Sequence, residues 1–486
     1  MKLDRTRNLC ALVLALAFAI TTLPEIHRAE ARAPVPRDVQ RKLDRWLDHR
    51  SLNGLRVGVA IADLDSGELV ASHQEREVLN PASGAKLLTT AAALNLLGPK
   101  HVWFTSFDLE GSSLLITGGG DPKLLPEEIA PIADAVTKKL RELKVTQIDA
   151  IRVDVSRYDA HQLPPAYAQK PTDAGYRPAI GAAGSSYGAI RVDVRPTRVG
   201  YPVEVSVQPK TSIEIVNEAV TTHGKSSSIA IEGEPVGGGW IRINIRGELG
   251  VDHPADWVRR RVPDPNRLTA ELMRDALVAR DLADTSTPLV FERQVKQRAP
   301  ATLTPLHRHP GDDLTKTIDD INTWSNNYMA EVVFKELGRP DGRPASWERA
   351  APRVTQCLTK MGVNPAELRV VNGSGLYRGT LVSPRAMTQL LVSMHKNPQL
   401  SSPFRDSLAR PGRAGTLAGR LRSPGSRDRL WAKTGTLDEV VSLSGYVQTS
   451  GDHGLAFAIF INDANAARTS ALRSAIDRLV LILSRL

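Results

Sequence analysis

The chain has 486 residues, which is too long for a domain with a single hydrophobic core. Because 41% of the residues are hydrophobic and 24% are charged, the composition is also too apolar for an intrinsically disordered protein. Its formal net charge of +10 is spread along the chain rather than gathered in a basic tail, and no nucleic-acid-binding module is recognisable. We therefore expect two or more globular domains, no nucleic acid partner, and a basic surface compatible with peripheral contact with a membrane or anionic polymers.

The N-terminus has the pattern of an export signal. Basic residues at positions 2–7 precede an apolar run over 9–20, and small residues follow around Ala31. This order is typical of a cleaved signal peptide, although an uncleaved anchor remains the alternative. We therefore predict a signal peptide over residues 1–31 and an extracytoplasmic mature protein, periplasmic or secreted and associated with the cell envelope.

The chain has two cysteines, and only one of them belongs to the expected mature protein. Cys10 lies in the signal and leaves with it, so Cys357 has no partner for an internal disulfide. We predict that Cys357 is a small buried apolar residue rather than a reactive nucleophile.

The two ends of the chain carry the elements of one sheet. A hairpin is predicted over residues 55–72, and a helix is predicted from Ser83 to Leu97, where Gly98-Pro99 stops it. A final helix is predicted over residues 466–483. Three strands are predicted before it, at Leu430–Leu437, Val440–Gln448 and Leu455–Asn462. These elements predict an α+β fold in which both chain ends form one antiparallel sheet with helices on its faces.

The middle of the chain, residues 105–299, has a different pattern. An amphipathic helix is predicted over Pro126–Leu143, and short strands alternate with turns that contain glycine and proline. These strands are predicted at 151–155, 190–194, 203–207 and 241–245. We therefore predict one domain split between residues 34–104 and 300–486, interrupted by a large β-rich inserted accessory region over 105–299.

The first chemically active motif is Ser83-Gly84-Ala85-Lys86, at the start of a predicted helix. Its hydroxyl and amine are three residues apart, a spacing that places both on one helix face. A serine hydroxyl attacks poorly until a neighbouring base takes its proton, and a lysine is a base only where burial or another cation keeps it neutral. The backbone N–H of Ser83 at the helix start is available for a developing oxyanion.

The second motif, Ser325-Asn326-Asn327, lies at the joint between helices predicted over 315–323 and 328–337. Side chains at such a joint can face a cleft. A hydroxyl beside Lys86 can relay a proton to a leaving amine, while an amide can hold a substrate carbonyl and orient the lysine.

The third motif, Lys433-Thr434-Gly435-Thr436, lies in a predicted strand. Lys433 and Thr434 can bind a terminal carboxylate, and Gly435 can let a substrate backbone approach the strand edge. A second ammonium group near Lys86 would also disfavour the charged form of that lysine.

Several similar patterns favour structural interpretations. Ser393 to Lys396 repeats the first motif and residues 51–53 repeat the second, but neither fits a complete set in the same order. His307 and His309 are assigned to a proline-flanked loop without a metal-ligand set, and Gly118-Gly119-Gly120 to a tight turn rather than a phosphate loop. No metal or cofactor site is therefore predicted.

In their order along the chain, the three motifs resemble the signature of penicillin-binding proteins and serine β-lactamases. The resemblance extends to the D-alanyl-D-alanine carboxypeptidase/endopeptidases, the class C low-molecular-mass penicillin-binding proteins among the penicillin-recognising serine peptidases. It covers nearly the whole mature chain and implies a β-lactamase/transpeptidase-like fold with a large insertion between the first two motifs. The segments that carry it are 81–86, 118–122, 322–331, 373–376 with 383–384, 415–417 and 431–437.

The resemblance also implies a function. It implies a serine-type D-Ala-D-Ala carboxypeptidase, together with D,D-endopeptidase activity, that acts on peptidoglycan stem peptides through an acyl-enzyme and takes part in wall maturation and remodelling. β-Lactam antibiotics would be covalent inhibitors, and no cofactor would be needed. The implied roles are Ser83 as nucleophile, Lys86 as base, Ser325 and Asn327 in proton relay and orientation, Lys433, Thr434, Gly435 and Thr436 in substrate binding, and the N–H groups of Ser83 and Thr436 in the oxyanion hole.

Some positions depart from the family pattern. Asn326 and Asn372 stand where aspartate is common, Tyr377 replaces a usual serine, and residues 179–194 lack expected asparagines. These departures leave substrate preference and rate open. Two rival functions also remain: a β-lactamase, for which no deacylating base is evident, and a non-catalytic wall-binding protein on the same fold.

Overall fold

The computed structural model describes residues 38–294 and 302–486. The predicted signal peptide, residues 1–31, lies outside the described residues. The helices are α1 (Val39–Leu47), α2 (Ala85–Leu97), α3 (Pro126–Glu142), α4 (Pro265–Val278), α5 (Leu314–Trp324), α6 (Asn327–Glu336), α7 (Trp347–Lys360), α8 (Pro384–Lys396), α9 (Ser401–Asp406), α10 (Pro424–Arg427) and α11 (Thr469–Ser484). None of these helices is long and apolar enough to cross a membrane.

The described residues also form strands. They are β1 (Arg56–Asp63), β2 (Leu69–His73), β3 (Val102–Glu110), β4 (Ser113–Thr117), β5 (Ala150–Asp154), β6 (Ala189–Arg195), β7 (Glu204–Gln208), β8 (Glu214–Asn217), β9 (Val220–Thr222), β10 (Ala230–Gly237), β11 (Trp240–Arg246), β12 (Glu248–Gly250), β13 (Asp256–Arg261), β14 (Leu289–Glu292), β15 (Leu303–Asp313), β16 (Leu368–Arg369), β17 (Leu381–Val382), β18 (Leu430–Leu437), β19 (Val440–Gln448) and β20 (Gly454–Asn462).

Both ends of the described chain meet in one antiparallel sheet. Its order is β18-β19-β20-β1-β2, and β1 pairs with β20 from Arg56 opposite Asn462 to Asp63 opposite Leu455. Almost every residue of β19 and β20 is buried, which requires cover on both faces of the sheet. Helix α8 packs on β1 and β20, and α11 packs on β19. The predicted sheet, its hairpin and its covering helices are confirmed, with bounds that differ by a few residues at most.

A second five-stranded sheet is built from residues 102–313, in the order β14-β5-β4-β3-β15. Helix α3 packs against β15 and α4, and it buries the predicted apolar stripe of Ile129, Ile132, Val136 and Leu140. The helix predicted there is confirmed, as are the short strands. The division into a split domain and an insertion at residues 105–299 stays a prediction.

Strand β15 corrects the interpretation of His307 and His309 as loop residues. The strand pairs with β3, and its register shifts next to Pro305 and Pro310. It is the edge strand of its sheet, where a proline that cannot donate a hydrogen bond is tolerated. The flanking prolines therefore mark irregularities within a strand rather than a loop.

The structure agrees with the prediction for Cys357 and corrects the one for the glycine run at 118–120. Cys357 is buried, and its burial raises the pKa of the thiol, as expected for a structural cysteine. The glycine run at 118–120 is not a tight turn but a close passage of chain segments. A Cβ atom at Gly119 would lie 1.7 Å from the carbonyl oxygen of Phe104, and one at Gly118 would lie 2.6 Å from the backbone of Ala182. Only glycine allows these approaches.

Candidate active site

Ser83 lies in a 3-10 turn that leads directly into α2. The preceding residue, Ala82, has a φ of 47°, a left-handed conformation that costs energy for a residue with a side chain. Two buried side chains hold the turn: Asn80 Oδ1 accepts the Ala82 N–H at 2.8 Å, and Ser442 Oγ donates to the Pro81 carbonyl at 2.6 Å. These contacts fix the position of the half-buried Ser83 hydroxyl.

Lys86 is fully buried and has three hydrogen-bond acceptors. Its Nζ lies 2.9 Å from Ser83 Oγ, 2.7 Å from Asn327 Oδ1 and 2.8 Å from the Ser374 carbonyl oxygen. Burial lowers the pKa of Lys86 from 10.5 to about 7, although the negative charge of Glu331 acts in the opposite direction. The amine beside the Ser83 hydroxyl can therefore be neutral near physiological pH.

Glu331 is a buried carboxylate that sequence reasoning did not single out as a site residue. It accepts the backbone N–H groups of Gly373 at 3.1 Å and Ser374 at 2.9 Å, and the indole N–H of Trp347 at 2.9 Å. It thereby fixes the loop whose Ser374 carbonyl accepts from Lys86. One sequence feature could have identified Glu331: it is an acidic residue among apolar residues of α6, just after the second motif.

Ser325 ends α5 in a left-handed conformation, with φ 63° and ψ 36°. This turn of the chain aims its Oγ at Lys433 Nζ, 2.9 Å away. Asn326 caps α6 by accepting the Met329 N–H at 3.1 Å. Asparagine and aspartate cap helices about equally well, so asparagine at position 326 fills the same helix-capping role as the usual aspartate could.

Asn327 connects the cluster to the middle of the chain. Its Oδ1 accepts from Lys86, and its Nδ2 donates to the carbonyl oxygen of Tyr176 at 2.8 Å. A second contact from the same region is made by Tyr167, whose hydroxyl lies 2.9 Å from Ser374 Oγ. Residues within 105–299 therefore contact one motif residue, Asn327, and the Ser374 loop whose carbonyl accepts from Lys86.

Lys433 lies on β18, fully buried, and its Nζ donates to Ser325 Oγ and to the Thr434 carbonyl, both at 2.9 Å. Burial, together with the charge of Lys86, lowers the pKa of Lys433 well below its usual value. Gly435 faces inward, because a Cβ there would lie 2.5 Å from the Pro81 carbonyl oxygen and close to Ser442. Gly435 therefore allows β18 to approach the turn that carries Ser83, whereas the sequence had suggested that it allows a substrate backbone to approach the strand.

The three motifs meet at one cavity of about 300 Å³. It is lined by Ser83, Ser325, Thr416, Arg420, Thr434, Thr436 and Arg473. Arg420, Arg473 and Thr416 were not among the predicted site residues, although Thr416 lies in a segment that carries the family resemblance.

The repeated first motif does not form a similar site. Lys396 is exposed and donates to the Ser66 carbonyl at 3.2 Å, whereas Lys86 is fully buried and donates to its serine hydroxyl. Of the two histidines considered as metal ligands, His309 has its Nε2 3.5 Å from Glu128 Oε1. Within residues 38–294 and 302–486, no group of three or more histidine, cysteine or acidic side chains is placed to hold a metal ion.

Comparisons with known proteins agree with this geometry. The model of the D-Ala-D-Ala carboxypeptidase 3 (S13) family matches residues 39–483. The D-alanyl-D-alanine carboxypeptidase of Actinomadura sp. (strain R39) is 28% identical over 467 residues, which cover 90% of this chain and 84% of that protein. The crystal structure of penicillin binding protein 4 from Haemophilus influenzae aligns with a TM-score of 0.77 at 20% identity, over 91% of this chain and 99% of that one. The predicted fold class is confirmed.

Proposed function

The chain belongs to the D-Ala-D-Ala carboxypeptidase 3 (S13) family, and on this premise we propose that it is a serine-type D-Ala-D-Ala carboxypeptidase that acts on peptidoglycan stem peptides. One observation carries the proposal: the buried Lys86 amine, whose pKa is about 7, lies 2.9 Å from the Ser83 hydroxyl at the cavity where the three motifs meet. A nucleophile and its base are thus in contact at a site open to a peptide.

In the proposed acylation, neutral Lys86 takes the proton of Ser83 as its oxygen attacks the carbonyl carbon of the penultimate D-alanine. The backbone N–H groups of Ser83 and Thr436 stabilise the oxyanion. When the intermediate collapses, the C–N bond breaks, and the Ser325 hydroxyl passes a proton to the leaving amine of the terminal D-alanine. The products are D-alanine and an ester between the peptide and Ser83.

In the proposed deacylation, water attacks the ester carbonyl. Lys86 has by then passed the proton that it took from Ser83 to the Ser325 hydroxyl, so it is neutral again; it takes the proton of the attacking water and gives it to the departing Ser83 oxygen. The C–O bond to Ser83 breaks, which releases the shortened peptide with a new carboxylate and restores the hydroxyl. No cofactor enters either step.

The same cavity supports the proposed substrate binding. Strand β18 is an edge strand of its sheet and carries Lys433, Thr434, Gly435 and Thr436. An extended peptide can pair with such an edge through its backbone, while the hydroxyl groups of Thr434 and Thr436 bind its terminal carboxylate. A cross-linked stem peptide presents the same D-alanyl bond, so we extend the proposal to D,D-endopeptidase activity.

The proposal also covers inhibitors and location. Penicillin binding protein 4 from Haemophilus influenzae has been crystallised in complex with a β-lactam, and that structure aligns with a TM-score of 0.72 over 92% of this chain. We propose that β-lactams likewise acylate Ser83 in this protein. Because peptidoglycan lies outside the cytoplasm, the proposed place of action is the cell envelope, where the basic surface suits anionic wall polymers.

The experiment is labelling with penicillin and digestion of defined muropeptides, both followed by mass spectrometry. Ser83→Ala should abolish the covalent label and the release of D-alanine, while the matched control Ser393→Ala keeps both. A label on a peptide without Ser83 would contradict the assignment. Absence of any label would favour the wall-binding rival, and sustained turnover of a chromogenic cephalosporin, instead of one stoichiometric burst, would favour a β-lactamase.

A further inference from the structure

The cavity beside Ser83 has a basic wall that belongs to none of the three motifs. Arg420 reaches it from the loop before α10, and Arg473 reaches it from the first turns of α11. The hydroxyl-bearing residues Thr434 and Thr436 line the same cavity. Two guanidinium groups therefore border the space into which a substrate's terminal carboxylate would extend.

The charge of Arg420 is already compensated. Its Nη2 lies 2.6 Å from Asp477 Oδ1, and its Nε donates to Asp477 Oδ2 at 3.2 Å. This two-point geometry is the arrangement that a guanidinium and a carboxylate prefer, and both side chains are largely buried. Asp477 lies four residues after Arg473 on α11, so the helix itself supplies the partner of Arg420.

Arg473 makes no such two-point contact, and among the described residues only the charge of Asp477, one helical turn away, acts on it in the opposite sense to Arg420. It donates to Thr436 Oγ1 at 3.1 Å, and no carboxylate of residues 38–294 and 302–486 lies within ion-pair distance of its guanidinium. The group of Arg420, Asp477 and Arg473 thus has one positive charge in excess. That excess lies next to Thr436, on the strand proposed to bind the substrate backbone.

Lys433 is a poorer candidate for the same task. It is fully buried, and its amine already donates to Ser325 and to the Thr434 carbonyl. Arg473 is exposed at the cavity, stays charged near neutral pH, and presents several donors in a plane that matches a carboxylate.

We propose that Arg473, together with the hydroxyl groups of Thr434 and Thr436, binds the terminal carboxylate of the substrate and makes the enzyme select peptides with a free C-terminal acid. The inference rests on the proposed function, because it concerns the substrate of the Ser83 site. It assigns substrate selection to a residue of the C-terminal helix that lies outside all three motifs.

The test compares a peptide ending in D-Ala-D-Ala with the same peptide whose terminal carboxylate is an amide. Arg473→Gln should lower kcat/KM for the acid about 10- to 100-fold, mainly by raising KM, because a charge-assisted contact is lost. The amide should be hydrolysed at nearly the wild-type rate, so the acid-to-amide preference collapses. Arg473→Lys, which keeps the charge without the planar fork, should restore part of the preference.

The matched control is Arg478→Gln, on the exposed side of the same helix, where the arginine donates to His49. This variant should keep the wild-type preference. Saturating penicillin should still label Ser83 stoichiometrically in Arg473→Gln. If the wild-type protein is not labelled either, the proposed function is wrong, whatever the role of Arg473. An unchanged acid-to-amide preference in folded Arg473→Gln, or an equal loss for both peptides, would overturn the role of Arg473.

Discussion

The surroundings of Lys86 determine the pH at which the protein should work. Its pKa is lowered to about 7 by burial, so the amine is neutral above that pH and protonated below it. We expect the second-order rate of penicillin acylation to fall about tenfold for each pH unit below 7, because only the neutral amine is a base. Lys86→Arg should suppress acylation by several orders of magnitude at every pH, since a guanidinium stays charged. A flat profile down to pH 5, or wild-type rates in Lys86→Arg, would contradict the role of base.

Glu331 acts on Lys86 through both its charge and its hydrogen bonds. The charge raises the pKa of Lys86 against the larger effect of burial. Glu331→Gln should therefore move the acid limb of the acylation profile to lower pH. The amide also has one acceptor oxygen for the three N–H groups that Glu331 binds, so the maximal rate should fall about tenfold or more as the Ser374 loop shifts.

The control for this prediction is Trp347→Phe, which removes one donor to Glu331 and leaves its charge in place. Its profile should keep the wild-type acid limb. If Glu331→Gln lowers the rate without moving the acid limb, the carboxylate only supports the loop and does not tune the base.

Sequence order identified Ser83, Lys86 and Lys433 as a group because their side chains have a recognisable chemistry. The structure brings all three to one place. The Ser374 carbonyl could not be found in the same way, since any residue has a carbonyl and only the folded loop aims this one at Lys86. Arg473 was equally hidden, because an arginine on a helix is ordinary until its neighbour on β18 is known.

At the scale of elements, the turn that carries Ser83 depends on close contact with β18. A Cβ atom at Gly435 would lie 2.2 Å from Ser442 Oγ and 2.5 Å from the Pro81 carbonyl oxygen, whose backbone cannot move freely. Gly435→Ala should therefore displace the turn, lower stability by about 1–3 kcal/mol and reduce penicillin acylation at least tenfold. Thermal unfolding and acylation kinetics measure both effects.

The matched control is Gly425→Ala, since nothing lies within 4 Å of a Cβ atom at that helical position. It should leave acylation unchanged and should not lower the melting temperature, because alanine is the better helix former. Wild-type acylation in Gly435→Ala would show that the turn tolerates the displacement.

The elements themselves were predictable wherever periodic apolar residues lie between clear stop signals. The helices on either side of Ser325 follow this rule, as do the strands that form the antiparallel sheet at the two chain ends. Strand β15 did not, because Pro305 and Pro310 suggest a loop when the neighbouring strand is unknown. Only the position of β15 at a sheet edge, with register shifts at both prolines, makes the strand compatible with them.

For the whole molecule, the remaining question is what residues 105–299 do. We propose that this region controls access of the wall polymer and supplies no catalytic side chain, in keeping with the predicted division of the chain. The contacts of Tyr176 and Tyr167 with Asn327 and Ser374 refine this proposal, because they place one segment of the region against the site. The effect of a substitution should therefore depend on its distance from that segment.

Substitutions at exposed positions outside that segment should separate two activities. Lys138→Ala and Lys210→Ala change exposed positions of the region and should leave penicillin acylation within about twofold of wild type, because the small lactam needs only the cavity. Turnover of intact peptidoglycan should change, since a polymer contacts a larger surface. Tyr167→Phe is the contrasting variant: loss of the hydroxyl that faces Ser374 should lower acylation up to about tenfold. Large losses of acylation in folded Lys138→Ala or Lys210→Ala would instead mean that the whole region supports the chemistry, and the proposed division of labour would be wrong.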